Sequence, residues 1–243
     1  MHGFDVLRGF SVISMVAFHL CYDLKFIMGV PLTWFAPPLQ DIWRASISWT
    51  FVFIAGAMFA WSRDNFKRSM RYLLAAAVVF LVTTFIAVDV PISFGIIYCM
   101  GACTLSCWLL GRCSIRPSGS LAALLLFACF LVFWGLPVGH LGMGPLQLPI
   151  PRQLYATPWF SWLGLPGPHF ASGDYYPLMP FLFLYLAGSA MGRKWRSDGV
   201  PDYLADLRSD VLELVGKHAL PIYLLHQPLL FGALMLLQAL GVL

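Results

Sequence analysis

FDVLRGFSVISMVAFHLCYD, residues Phe4 to Asp23, has the length and apolarity of a membrane-crossing helix, yet it carries Asp5, Arg8, His19 and Asp23. Arg8 and His19 stand 11 positions apart. At about 100° per residue that is about three turns, so both fall on one face, roughly 16 Å apart along the axis. Asp23 follows His19 by one turn and lies near the same face. Ionisable groups at membrane depth are expensive, about 2.5–3.5 kcal/mol each for Arg or Asp at a helix centre. A stripe of them needs a reason, and that reason governs how the rest of the chain is read.

Composition sets the class. The 243 residues are 60% hydrophobic and only 11% charged, against roughly 25% charged in ordinary soluble domains. Together with repeated long apolar runs, this predicts an all-α, polytopic transmembrane helix bundle in a lipid bilayer. The net charge of +4 is small and calls for no nucleic-acid partner. The first apolar run is too long for a signal-peptide core and lacks a small-residue cleavage site, so it is expected to stay in the mature chain. Cys99, Cys103 and Cys107 recur every fourth residue and read as small apolar packing residues on one helix face. Their spacing is neither that of a zinc ribbon nor that of a CxxC redox pair.

Seven segments approach the length of about 20 apolar residues that a span requires: roughly 6–28, 43–61, 70–88, 92–110, 120–138, 176–193 and 216–240. Lys and Arg concentrate in alternate loops. The 62–71 loop has Arg63, Lys67, Arg68 and Arg71; the 111–119 loop has Arg112 and Arg116; the 193–217 loop has Arg193, Lys194, Arg196, Arg208 and Lys217. The 89–91 connection has Asp89 alone, and the 139–175 loop has only Arg152. This predicts a cytoplasmic N-terminus and a C-terminus on the far side. It also predicts one domain over 1–243, with an extracytoplasmic loop at 139–175 and a cytoplasmic linker helix at 194–215.

Ala55, Gly56 and Ala57 in the second span predict close helix packing. Ser46 and Ser48 could serve as pocket hydroxyls, but bonding back onto their own helix is the role expected of them. The entry to the sixth span, SGDYYPLMP, sets Asp174, Tyr175 and Tyr176 together, as substrate contacts or as an interfacial helix cap. The last span opens with HALPIYLLHQPLL, where Pro221 and Pro228 should kink the helix and free backbone carbonyls. His226 falls about 12 Å past the inner end of that span. It could therefore share one cavity with His19, lined also by Tyr223 and Gln227.

These groups suit acyl transfer. A base must take the proton of an acceptor hydroxyl or amine, or a nucleophile must carry the acyl group, and histidine serves either role. A carboxylate beside it fixes the tautomer. On this reading His19, Asp23 and His226 are catalytic, and Asp5 with Arg8, Tyr223 and Gln227 bind the donor. Arg8 holds a phosphate, and about 16 Å resembles the reach of an extended pantetheine arm. Three alternatives stay open. One is a metal or haem on His19, Asp23 and His226, although no metal is expected from the spacing. Another is a transporter or flippase of a polar or lipid-linked solute that uses the intramembrane His, Asp and Arg. The third is a buried polar network that only orients the first helix.

Taken together, DVLRG at 5–9, FHLCYDL at 18–24, FVFIAGA at 51–57, SGDYYPLMPF at 172–181, LAGSAMGR at 186–193 and HALPIYLLHQPLL at 218–230 resemble the heparan-α-glucosaminide N-acetyltransferase catalytic-domain family, in its short bacterial type. The spacing of Arg8 and His19 also resembles the Arg-x10-His motif of the wider membrane acyltransferase family three. The resemblance implies acetyl-CoA as a cytoplasmic donor and a sugar or glycan amine or hydroxyl on the far side as acceptor. It further implies His19 as a catalytic residue, Asp5 and Arg8 at the donor end, and the inner membrane of a bacterium as the location. A homo-oligomer is compatible with it.

Overall fold

The computed structural model describes residues 2–86 and 90–242; Asp89, counted above with the 89–91 connection, lies outside them. The expected all-α class holds. The helices are α1 (His2–Tyr22), α2 (Leu39–Ala57), α3 (Asn65–Ile86), α4 (Ile96–Arg112), α5 (Ser120–Phe133), α6 (Leu178–Asp198), α7 (Asp202–Ala205), α8 (Asp210–Lys217) and α9 (Ala219–Ala239). The β-structure among the described residues is a two-residue antiparallel pairing of His140–Leu141 with Leu148–Pro149, inside the long loop. Two compact units form. One takes the chain up to Phe51 and again from Val200; the other is Val52–Gly199, so the division falls within α2.

Among the described residues each expected span contains a helix, residues 87 and 88 of the third lying outside them, but not every one has the length and apolarity to cross a bilayer. Five do: His2–Ile27, Leu39–Trp61, Asn65–Ile86, Ser120–Val138 and Ala219–Ala239. The fourth helix, Ile96–Arg112, is apolar but shorter, with 17 residues. It starts four residues later than its hydropathy suggests because its entry is tied down. Asp174 Oδ2 accepts the Ile96 N–H at 3.0 Å, and Ser172 Oγ accepts the Ser93 N–H at 3.0 Å. Helix α6 is long enough, with 21 residues, but its last turns carry Arg193, Lys194, Arg196 and Asp198.

In the first unit, α1 and α8 touch backbone to backbone. A Cβ on Gly9 would lie 1.9 Å from the Leu212 carbonyl oxygen, and one on Gly216 would lie 1.9 Å from that of Asp5. Only glycine permits that approach. The DVLRG motif is therefore a packing surface as well as a charged one. Helix α8 is well terminated: Ser209 Oγ accepts the Leu212 N–H, Asp210 and Glu213 occupy the first turn, and Lys217 the last. The polar 194–215 stretch continues α6 as far as Asp198, and then forms α7 and α8. Farther along α1, Met15 and Phe18 bury against Phe35 and Ile47, with Trp43 and Tyr223 packed on the cluster. Trp43 Nε1 donates to Ser14 Oγ at 2.7 Å, which satisfies the indole inside this apolar contact.

In the second unit, the small residues of α2 meet α6 as expected. A Cβ on Gly56 would lie 2.0 Å from the Tyr185 carbonyl oxygen, and one on Gly188 would lie 2.1 Å from that of Phe53. Helix α5 joins α6 through Ala123, Ala187 and Ala190. Cys99, Cys103 and Cys107 are buried, in keeping with a packing role. The two ends of this unit differ in chemistry. At one end the Arg-rich turns meet: Arg193 Nη1 donates to the Pro117 carbonyl at 2.5 Å, and Asn65 Nδ2 to that of Phe59 at 3.1 Å. At the other end the long loop bonds the start of α4.

Candidate functional site

In the first unit α1 does not stop at Tyr22. It passes into a π-helical turn, Asp23–Ile27, with Asp23 buried at its start. Such turns shift the side-chain register of a helix and recur at functional sites. Asp23 reaches α9 here: Gln227 Nε2 donates to both of its carboxylate oxygens, at 2.9 and 3.0 Å. One turn back along α1, the His19 ring lies 5.0 Å from the His226 ring, centroid to centroid, with the planes tilted by 55°. The Tyr223 ring also packs against His226, 5.6 Å between centroids. His19, Asp23, Tyr223, His226 and Gln227, separated by 200 positions in the chain, thus form one cluster.

The state of His226 follows from its partner. Its Nδ1 lies 2.6 Å from the Tyr223 carbonyl, which can only accept, so Nδ1 carries the proton. The lone pair of the neutral ring is then on Nε2, which is buried and bonded to nothing among the described residues. Gln227 Oε1 is likewise buried without a donor. Buried polar atoms are nearly always paired, so two vacant acceptors side by side on α9 mark a place where a ligand N–H or O–H would be welcome. Pro228 contributes as well. It has no N–H to give to the fourth carbonyl before it, so one backbone hydrogen bond of α9 is missing beside this pair. Pro221, by contrast, sits in the first turn of α9, where no N–H is required, and causes no interior break.

Nearer the start of α1, Arg8 Nη1 donates to Asp5 Oδ1 at 2.9 Å and to the Gly216 carbonyl at 3.2 Å. Arg8 and Asp5 therefore act together on the α1–α8 seam. Beside them His2 Nδ1 bonds Glu213 Oε2 at 2.5 Å, and this hydrogen bond holds the Glu213 carboxyl below its usual range.

In the second unit the Asp174–Tyr176 strip bonds the start of α4 and the long loop. Asp174 caps α4, Tyr175 Oη donates to the Ser161 carbonyl at 2.6 Å, and the Tyr176 N–H bonds the Phe94 carbonyl at 2.9 Å. Burial pushes the Tyr175 phenol up. Sequence reasoning did not find the Asp23–Gln227 pair, nor the way Arg112, Arg116, Arg193 and Arg196 gather about one pocket. Arginine repeats at four- and three-residue spacing at two helix ends are the available signal, and by themselves they mark only topology. Among the described residues no group of three or more His, Cys, Asp or Glu side chains has the arrangement of a metal site.

The family described as heparan-alpha-glucosaminide N-acetyltransferase, catalytic, matches residues 1–228. Neither the curated proteins nor the solved structures compared with the chain contain a match.

Proposed function

The chain belongs to the heparan-alpha-glucosaminide N-acetyltransferase catalytic family, and we propose that it moves an acetyl group from acetyl-CoA to the amine or hydroxyl of a sugar at the His19–His226 cluster. The observation that carries this reading is the vacant, buried Nε2 of His226 beside the ring of His19. The acceptor N–H or O–H hydrogen-bonds to His226 Nε2. Its nitrogen or oxygen attacks the thioester carbon; the new C–N or C–O bond forms as the C–S bond breaks. The acceptor's proton passes to His226 Nε2 and from there to the departing CoA thiolate, so charge and atoms balance, while the adjoining His19 ring packs beside the proton-carrying ring. General-base help of this kind is worth about 10²–10⁴-fold.

The other residues hold this pair in place. Tyr223 fixes the His226 tautomer through its carbonyl and limits the ring by contact. Asp23 and Gln227 clamp α9 to the π-turn of α1. Arg8 keeps Nε and Nη2 for a donor phosphate while Nη1 is bound to Asp5 and Gly216. Donor on the cytoplasmic side and acceptor on the far side is the arrangement that the loop charges favour.

The direct test is a purified chain in neutral detergent with radiolabelled acetyl-CoA and a panel of hexosamines and hexoses. Transfer of label to sugar is the expected result. Hydrolysis alone, or no thermal stabilisation by millimolar acetyl-CoA, would overturn the reading, because a ligand that binds only the folded state must raise apparent stability.

A further inference from the structure

The second unit holds a pocket of about 520 Å³ whose lining includes Phe59, Trp108, Arg112, Arg116, Arg193 and Arg196. That volume is within the usual range for small-ligand sites, about 300–1,000 Å³. The four guanidinium groups come from the C-terminal end of α4, the turn after it and the C-terminal turns of α6. They are fixed without being neutralised. Arg193 donates to the Pro117 carbonyl at 2.5 Å, Arg196 to the Ala60 carbonyl, and Arg116 to the Gly111 carbonyl through Nε at 3.2 Å and Nη2 at 3.1 Å. Arg112 lies over the Trp108 ring, 5.6 Å from its centroid. Carbonyls and rings orient a guanidinium and offer it partial negative charge, but not the full charge of a carboxylate.

The carboxylates at this end are spoken for. Asp64 pairs with Lys67 at 3.7 Å and Asp198 with Lys194 at 2.7 Å. Among the described residues none of the four arginines has a carboxylate partner. Four like charges around one cavity repel each other; water and salt screen the exposed ones in part, and a bound anion would relieve the repulsion further. A topology signal alone asks for positive charge in these loops; it does not ask for convergence on a cavity with an aromatic wall. Planar guanidinium forks match phosphate oxygens two at a time.

We propose that this pocket is a binding site for a ligand bearing phosphate esters. The chemistry has two sources, a soluble polyphosphate and the headgroup of an anionic phospholipid. The pocket is lined by residues of the second unit alone, and the proposal stands whether or not acetyl transfer is observed.

Binding is measured on the full chain, as isothermal titration with inorganic pyrophosphate in neutral detergent and as retention of phosphatidylglycerol over phosphatidylcholine in mixed-lipid nanodiscs. Arg112→Gln and Arg193→Gln should each weaken the bound probe about tenfold, and added salt should weaken it further. Arg152→Gln, outside the pocket, should leave it unchanged. Pyrophosphate binding lost in the variants identifies a soluble ligand; phosphatidylglycerol retention lost in the variants identifies a lipid. Arg193 also holds the Pro117 carbonyl, so if its variant fails to fold, Arg112→Gln decides, since that side chain only stacks on Trp108. The proposal is overturned if neither probe binds, or if binding persists unchanged in Arg112→Gln.

Discussion

Replacing Gln227 by Leu keeps the volume on α9 but takes away the N–H group that serves both oxygens of Asp23. The magnitude depends on what kind of hydrogen bond this is. Neutral interhelical bonds in membrane proteins average only about 0.6 kcal/mol, because the unfolded helices find other partners. A bond to a charged group is worth about 1.5–3 kcal/mol, and a buried charge that loses its donor pays its desolvation besides. Asp23 is fully buried, so the larger figure applies. A double-mutant cycle of Asp23→Leu, Gln227→Leu and the pair isolates the interaction from the other contacts of Asp23. Read as equilibrium unfolding in mixed micelles, the cycle should give a coupling of about 1.5–3 kcal/mol, with the double variant more stable than additivity predicts. Additive effects, or a coupling no larger than the neutral average, would refute the claim that Gln227 holds a buried carboxylate there.

Gly9→Val drives a side chain into the Leu212 carbonyl; overpacking of this kind costs about 1–3 kcal/mol, visible as a lower unfolding temperature, and an unshifted midpoint would disprove the α1–α8 contact. Asp174→Ala removes the cap of α4 and should cost about 1 kcal/mol in the ligand-free protein; Asp174→Asn should recover most of that loss, whereas a purely substrate-binding Asp174 would leave ligand-free stability untouched. The His2 hydrogen bond lowers the folded-state value of Glu213, so its stabilisation is present above the ordinary carboxylate value and fades as pH falls through the lowered one. Thermal midpoints from pH 7 to pH 3 should therefore drop less steeply in Glu213→Gln than in the parent, and parallel acid limbs would contradict the linkage.

How much of this was readable beforehand varied with the range of the interaction. Apolar runs located the helices, because hydropathy is a local property, and Ala55–Gly56–Ala57 announced a close helix contact through residue size, though not that α6 would make it. Boundaries moved where a distant side chain intervened. Nothing within residues 92–96 says that Asp174 will accept the Ile96 N–H, so the late start of α4 was invisible. Helical periodicity put His19 and Asp23 on one face, but it did not show the π-turn that begins at Asp23 or the bond from Asp23 to Gln227, 204 positions away. The same limit applies to the arginines. Their loops could be sorted by charge count, yet only folding shows that four guanidinium groups share a cavity and lack carboxylates. His226 was found by depth along its span; its tautomer required the Tyr223 carbonyl distance.

The central claim is that His226 Nε2 takes the acceptor's proton. The measurement closest to it is the single-turnover rate of sugar acetylation by His226→Ala, compared with the parent at equal folded concentration. The account predicts a fall of about 10²–10⁴-fold, with binding of acetyl-CoA retained. Acetylation at the parental rate in that variant would contradict it.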